Sequence, residues 1–244
     1  MIENEVQTSS RPAQTVIVEA DLREYLRKVY NFMAGGLVVT ALTSYIILSI
    51  PPLFRLFFSV SGNMVSLSVL GWLILFAPLA MVFYFNSVAR NGSASKLQGV
   101  FWIFSALMGA SLTPTVMLYT GASIARIFLI TAAMFGGMSI YGYTTKKDLS
   151  GIGNFCIMAL WGIIIASIVN IFMGSTGLDM ALSVLVVLVF TGLTAYDTQK
   201  LRQMYLSSGD TETMNKTALI GALELYLDFI NMFLALLRLF GDRK

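Results

Sequence analysis

Histidine is missing altogether, and Cys156 is the only cysteine in 244 residues. The first absence removes the commonest metal ligand and the side chain that ordinarily titrates near neutrality. Any pH response near neutrality must then come from carboxylates. The second excludes an intrachain disulfide and a cysteine metal cluster. Charge is scarce as well. Asp, Glu, Lys and Arg make up 12% of the chain, about half of the ~25% usual for a soluble domain. No phosphate loop, nucleophile elbow or metalloprotease motif is present. Neither an enzyme nor a resident cofactor is therefore expected. The net charge of +3 does not indicate a nucleic-acid partner, because the basic residues sit in short segments between apolar runs and form no continuous patch. The first 21 residues hold no long apolar run, so a cleavable signal peptide is not expected.

What is abundant is apolar. Hydrophobic residues reach 57% and mean hydropathy is +0.76. A bilayer-spanning helix needs about 20 predominantly apolar residues. Seven segments qualify: Val29–Ile50, Ser66–Val88, Leu97–Tyr119, Ile124–Tyr143, Asn154–Met173, Met180–Leu201 and Thr217–Phe240. Short connections separate them, with turn formers at Asn91-Gly92-Ser93, Thr120-Gly121, Gly151-Ile152-Gly153 and Gly174–Gly177. The reading is an all-α membrane protein of two parts. Residues 1–28 form an N-terminal tail, disordered to residue 20, with a short amphipathic lead-in over Asp21–Lys28. Residues 29–244 form a seven-helix transmembrane domain. Lys and Arg concentrate on the side holding the N-terminus, which predicts a cytoplasmic N-terminus and an outer C-terminus. The basic residues at Arg238–Lys244 leave open a tail that turns back into the membrane.

Against this apolar background, two acids stand out. Asp228 lies in LYLDFINMF, in the middle of the last span, and Asp197 lies in TGLTAYDTQKL, toward the inner end of the sixth. A charged side chain at bilayer depth costs ~2.5–3.5 kcal/mol on insertion scales, so such residues usually face a bundle interior or a wet cavity. The two spans run antiparallel, and both acids fall within a turn or two of the same depth. Two close carboxyls in a low dielectric share a proton rather than ionise together. Such a pair can sense pH without histidine. Glu224 lies four residues before Asp228 on the same helix face, and Asn231 three residues after it. These are oxygen ligands, which suit hard cations such as calcium. They are too few for a tight cage of six to eight oxygens, so weak transit through Asp197 and Asp228 fits better than storage. The plain alternatives are that Asp197 reaches headgroup water and that Asp228 makes a structural hydrogen bond. Arg90, at the inner end of the second span, could bridge to Asp197 or serve only as an orientation signal.

The segments Tyr141–Gly151 (YGYTTKKDLSG), Tyr196–Gln199 (YDTQ) and Leu225–Gly241 (LYLDFINMFLALLRLFG), with the seven-span layout, resemble the Bax inhibitor family of transmembrane proteins, in particular its bacterial members. The resemblance implies six helices surrounding a central seventh. It also implies a pH-sensitive calcium leak in the cell's inner (plasma) membrane, with an aspartate pair on spans six and seven that matches Asp197 and Asp228. In one member of that family an arginine at the inner end of span two latches onto the span-six aspartate. Alignment puts Asn86 at that position here, with Arg90 one turn later, and Glu224 stands where a small polar residue is expected.

Three functions follow as expectations. The first is a calcium or cation leak channel gated by the aspartate pair. The second is a non-conducting modulator of a membrane protease or other membrane partner, a role linked to other bacterial relatives. The third is proton-coupled cation exchange using the same acids. All three share the lipid bilayer as partner; calcium or protons are the moving species in the first and third.

Overall fold

A computed structural model describes residues 6–61 and 64–244. Eight helices follow one another: α1 (Val6–Ser49), α2 (Pro51–Phe57), α3 (Val69–Asn91), α4 (Ala94–Leu118), α5 (Gly121–Thr144), α6 (Ser150–Met173), α7 (Thr176–Ser207) and α8 (Thr211–Phe240). A small antiparallel hairpin, β1 (Phe58–Ser61) and β2 (Met64–Leu67), joins α2 to α3. Seven of the helices are long and apolar enough to cross a membrane, α2 being the exception. The chain is therefore an all-α membrane protein.

Side-chain caps start most of these helices. Ser68, Ser93, Thr120, Ser175 and Asp210 each accept a hydrogen bond from the backbone amide three residues on. Each satisfies one of the four amides that a helix start leaves without a partner. Gly174, at φ +62°, ends α6 in the left-handed conformation that glycine adopts without strain.

Several boundaries differ from the sequence expectation. Residues 6–20, expected to be disordered, continue the ladder of α1; Ala13, Gln14, Glu19 and Ala20 are strong helix formers. The lead-in Asp21–Lys28 is not a separate element. It is the first part of the span Asp21–Ser49, with Leu22, Tyr25 and Leu26 buried against the bundle. Ser66 and Leu67 belong to β2 rather than to the second span. Gly151 and Gly153 are helical residues of α6, not a turn. Gly153 is there because a Cβ would lie 2.5 Å from the Tyr196 ring. Close approach of α6 to α7, rather than turn geometry, requires it. Gly142 does the same between α5 and α7, where a Cβ would strike the carbonyl of Ala195.

α8 is the hub. Its apolar window is 72% buried, against 39% for α7 and less for every other span. α7, α1, α5 and α4 pack on it directly, while α3 packs on α4 and α6 on α7 to complete the surround. Its buried face runs from Ala218 to Leu237 and includes Tyr226, Phe229 and Met232. Tyr226 is fully buried. Its hydroxyl lies 2.6 Å from that of Thr40 on α1, and the Thr40 oxygen is 2.9 Å from the carbonyls of both Gly36 and Ser105. One buried knot thus ties α1, α4 and α8.

The C-terminal residues dock rather than turn back into the bundle. The Thr120 amide donates to the Asp242 carbonyl at 3.0 Å, and the Lys244 amide to the Leu118 carbonyl at 2.9 Å. Arg126 closes the contact with an ion pair to Asp242 at 2.9 Å. The tail is held at the α4–α5 turn, at the end of the bundle opposite the start of the first span.

Candidate functional site

On α8, Thr217, Gly221, Glu224, Asp228 and Asn231 recur every three or four residues and so form one stripe along a single face. α7 lies against that face. Its Asp197 and Lys200, three residues apart, point the same way. Gly221 lets the two helices close together, since a Cβ there would run into the Leu201 side chain.

The result is a compact charged cluster in a largely apolar bundle. Asp197 is 9% exposed and Asp228 4%. Their carboxyl groups are within hydrogen-bonding reach of each other. One turn toward the N-terminal end of α8, Glu224 Oε1 accepts from the Lys200 ammonium at 2.7 Å, with both side chains about one-third exposed. Asn231, one turn the other way, donates its side-chain amide to the Leu227 carbonyl at 2.8 Å, which leaves its oxygen free. Glu224 Oε2 and Asp228 Oδ2 are buried and have no hydrogen-bond partner among the described residues. An oxygen stranded in this way costs ~1–3 kcal/mol unless water, a proton or a cation satisfies it. Among the described residues, no three His, Cys, Asp or Glu side chains converge into a metal-holding group. The arrangement can therefore share protons between carboxyls and offer oxygens to a passing cation.

The structure brings Asp197, Asp228 and Glu224 together, with Asn231 at the edge. It does not bring Asn86 or Arg90 to them. Both are exposed, and their helix α3 packs on α4, not on α7. The cation that reaches the cluster is Lys200. In the sequence it reads as an interfacial lysine following Asp197; the signal for its role was the three-residue spacing that puts it on the face of Asp197.

The motif Tyr196–Gln199 divides its work residue by residue. The Tyr196 ring packs over Gly153 of α6, and Asp197 faces Asp228. The Thr198 hydroxyl lies 3.4 Å from that of Tyr30 on α1. Gln199 clamps the α5–α6 connection, accepting from the Leu149 amide and donating to the Lys147 carbonyl, both at 2.8 Å. Three of the four residues thus fix the position of the fourth.

The sequence pattern of the family described as inhibitor of apoptosis-promoting Bax1 matches residues 22–244. The chain belongs to the Bax inhibitor family. The match includes all seven spans and every member of the cluster. Within this family, the inner membrane protein YbhL of Escherichia coli is 45% identical over 227 residues, covering 92% of this chain and 94% of its own. A Rickettsia prowazekii protein is 42% identical over 223 residues, 91% of each chain. The Lactococcus lactis protein YrjE is 39% identical over 220 residues, 90% of this chain and 91% of its own.

Proposed function

We propose that this protein is a cation leak of the inner membrane, with calcium the favoured ion, whose conductance follows protonation of the Asp197–Asp228 pair. The observation that carries the reading is the meeting of two buried carboxyls on the central helix and its neighbour, with oxygens that no protein group satisfies. A charge placed so deep is costly and calls for a role. In the paired, half-protonated state the two groups hold each other. When both ionise, like-charge repulsion favours their separation or the binding of a cation between them. Oxygen-only donors favour a hard cation. Placement in the inner membrane is supported by the relative YbhL, and a cytoplasmic N-terminus by the distribution of Lys and Arg.

The test is calcium flux into liposomes carrying the full chain, followed across pH. Asp197→Asn and Asp228→Asn each alter the pH dependence, and the double variant is non-additive because a shared proton needs both groups. Glu224→Gln moves the pH midpoint of flux downward, since an acidic neighbour is lost. Absence of flux from the wild-type protein refutes the leak and leaves the non-conducting modulator as the surviving reading.

A further inference from the structure

A cavity of about 270 Å³ opens where the start of the first span, the end of α7 and the start of α8 meet. Asp21 and Glu24 line it, and neither makes an ion pair among the described residues. The ammonium of Lys28, which also lines it, is engaged by the Asn215 side-chain oxygen at 2.5 Å. The cavity therefore sets two acids against the single ammonium of Lys28 and presents a net negative charge to whatever enters from water.

Tyr25 forms the inner wall. It is 5% exposed, its ring lies 5.4 Å from that of Tyr205, and its hydroxyl is buried with no partner. Thr217 is the nearby hydroxyl on α8; its own proton goes to the Met214 carbonyl at 3.0 Å, so toward Tyr25 it can only accept. Glu224 is close enough to act electrostatically on the Tyr25 oxygen. Thr217 and Glu224 are two turns apart on one face of α8. Three stranded oxygens thus lead inward from the cavity: Tyr25 Oη, then Glu224 Oε2, then Asp228 Oδ2. A row of buried polar atoms without protein partners is where water or an ion belongs.

We propose that this cavity is the aqueous vestibule of the carboxylate site, that it takes a hydrated cation between Asp21 and Glu24, and that Tyr25 is the gate between it and Glu224. The inference deepens the cation-leak reading and rests on it for its flux prediction; the vestibule itself is tested without flux. Acids lining a cleft with low-dielectric walls concentrate cations at its mouth, and the phenol hydroxyl can hydrate or release an ion without a charge of its own.

The experiment uses the full chain with Tyr25→Cys in a Cys156→Ala background. Its thiol is exposed to methanethiosulfonate reagents bearing either an aminoethyl cation or a sulfonatoethyl anion. After correction for reactivity toward a free thiol, the cationic reagent reacts about tenfold faster. Adding Asp21→Asn and Glu24→Gln abolishes that preference. No labelling, or labelling without charge preference, overturns the vestibule. In liposomes, Tyr25→Phe keeps the ring against Tyr205 and changes calcium flux at least threefold, and Asp21→Asn with Glu24→Gln lowers it several-fold. Unchanged flux in both variants, with a conducting wild type, overturns the gate. A wild type that does not conduct defeats the leak, while the labelling still decides whether the vestibule exists.

Discussion

The knot of Thr40 and Tyr226 makes an ordered prediction about stability. Each hydroxyl has one proton. Tyr226 is fully buried and, among the described residues, its only hydrogen-bond partner is Thr40 Oγ1, at 2.6 Å. Thr40 has two further acceptors in reach, the carbonyls of Gly36 and Ser105. If Thr40 donated to Tyr226, the phenol proton would have nowhere to go. The direction is thereby set: Tyr226 donates to Thr40, and Thr40 donates to a carbonyl. Tyr226→Phe then removes one donor and strands nothing that must donate, at a cost of about 1 kcal/mol. Interhelical hydrogen bonds in membranes average ~0.6 kcal/mol, which sets the lower end. Thr40→Val is worse. It leaves a buried phenol proton without an acceptor, at about 2–3 kcal/mol. The double variant costs no more than Tyr226→Phe alone to within about 0.5 kcal/mol, because the stranded group has gone too. The assay is reversible unfolding in mixed micelles as the fraction of denaturing detergent rises. Equal costs for the two single variants, or strict additivity in the double, would refute the assigned hydrogen-bond direction.

Three other outcomes follow from the structure. Gly142→Val forces α5 away from the Ala195 carbonyl and lowers stability by roughly 1–3 kcal/mol in the same assay, whereas the equivalent change at Gly162, which has open space beside it, costs little. Lys200→Met removes the one cation of the cluster and moves the pH midpoint of calcium flux upward by roughly one unit, read as flux against pH; an unmoved midpoint would show that Lys200 only neutralises Glu224. Asp210 caps α8, and hydrogen bonds from Thr213 hold its carboxyl below the ordinary carboxylate range. Its contribution is therefore fully present above the unfolded value near ~3.9 and fades as pH falls through the lower folded value, so amide exchange in the first turn of α8 accelerates below about pH 4 in the wild type and is fast at all pH in Asp210→Ala.

Much of the fold was legible because lipid is a strict solvent. It demands a long apolar helix for every crossing, and the seven runs satisfied that demand. The edges were less so. Gly151 and Gly153 looked like a turn; both are helical, and Gly153, under the Tyr196 ring, serves close packing while Gly151 faces open space. The hairpin at Phe58–Leu67 escaped notice because strands of four residues carry almost no periodic signal. In the site, Asp197 and Asp228 declared themselves by the cost of charge in lipid. Lys200 did not, because a lysine near a span end has an ordinary explanation in membrane orientation. That Arg90 and Asn86 lie away from the cluster depends on α3 choosing α4 as its neighbour, and no local pattern encodes that choice. The burial of Tyr25 against Tyr205 arises only when chain segments 180 residues apart meet.

The position of α8 in the chain has a consequence for biosynthesis. The hub of the bundle follows the other helices off the ribosome, so the bundle is assembled from the rim inward. Before α8 arrives, the membrane already holds six spans whose inner surfaces include Thr40, Asp197 and Lys200, each awaiting a partner on the missing helix. A nascent chain at that stage presents to lipid the intramembrane charges that the finished protein conceals. α8, carrying Glu224 and Asp228, enters a membrane in which their counterparts are already waiting, and its insertion thus completes the core. A message truncated just before Thr211 would yield a product with nearly all of the lipid-facing surface and without the helix around which the core is packed.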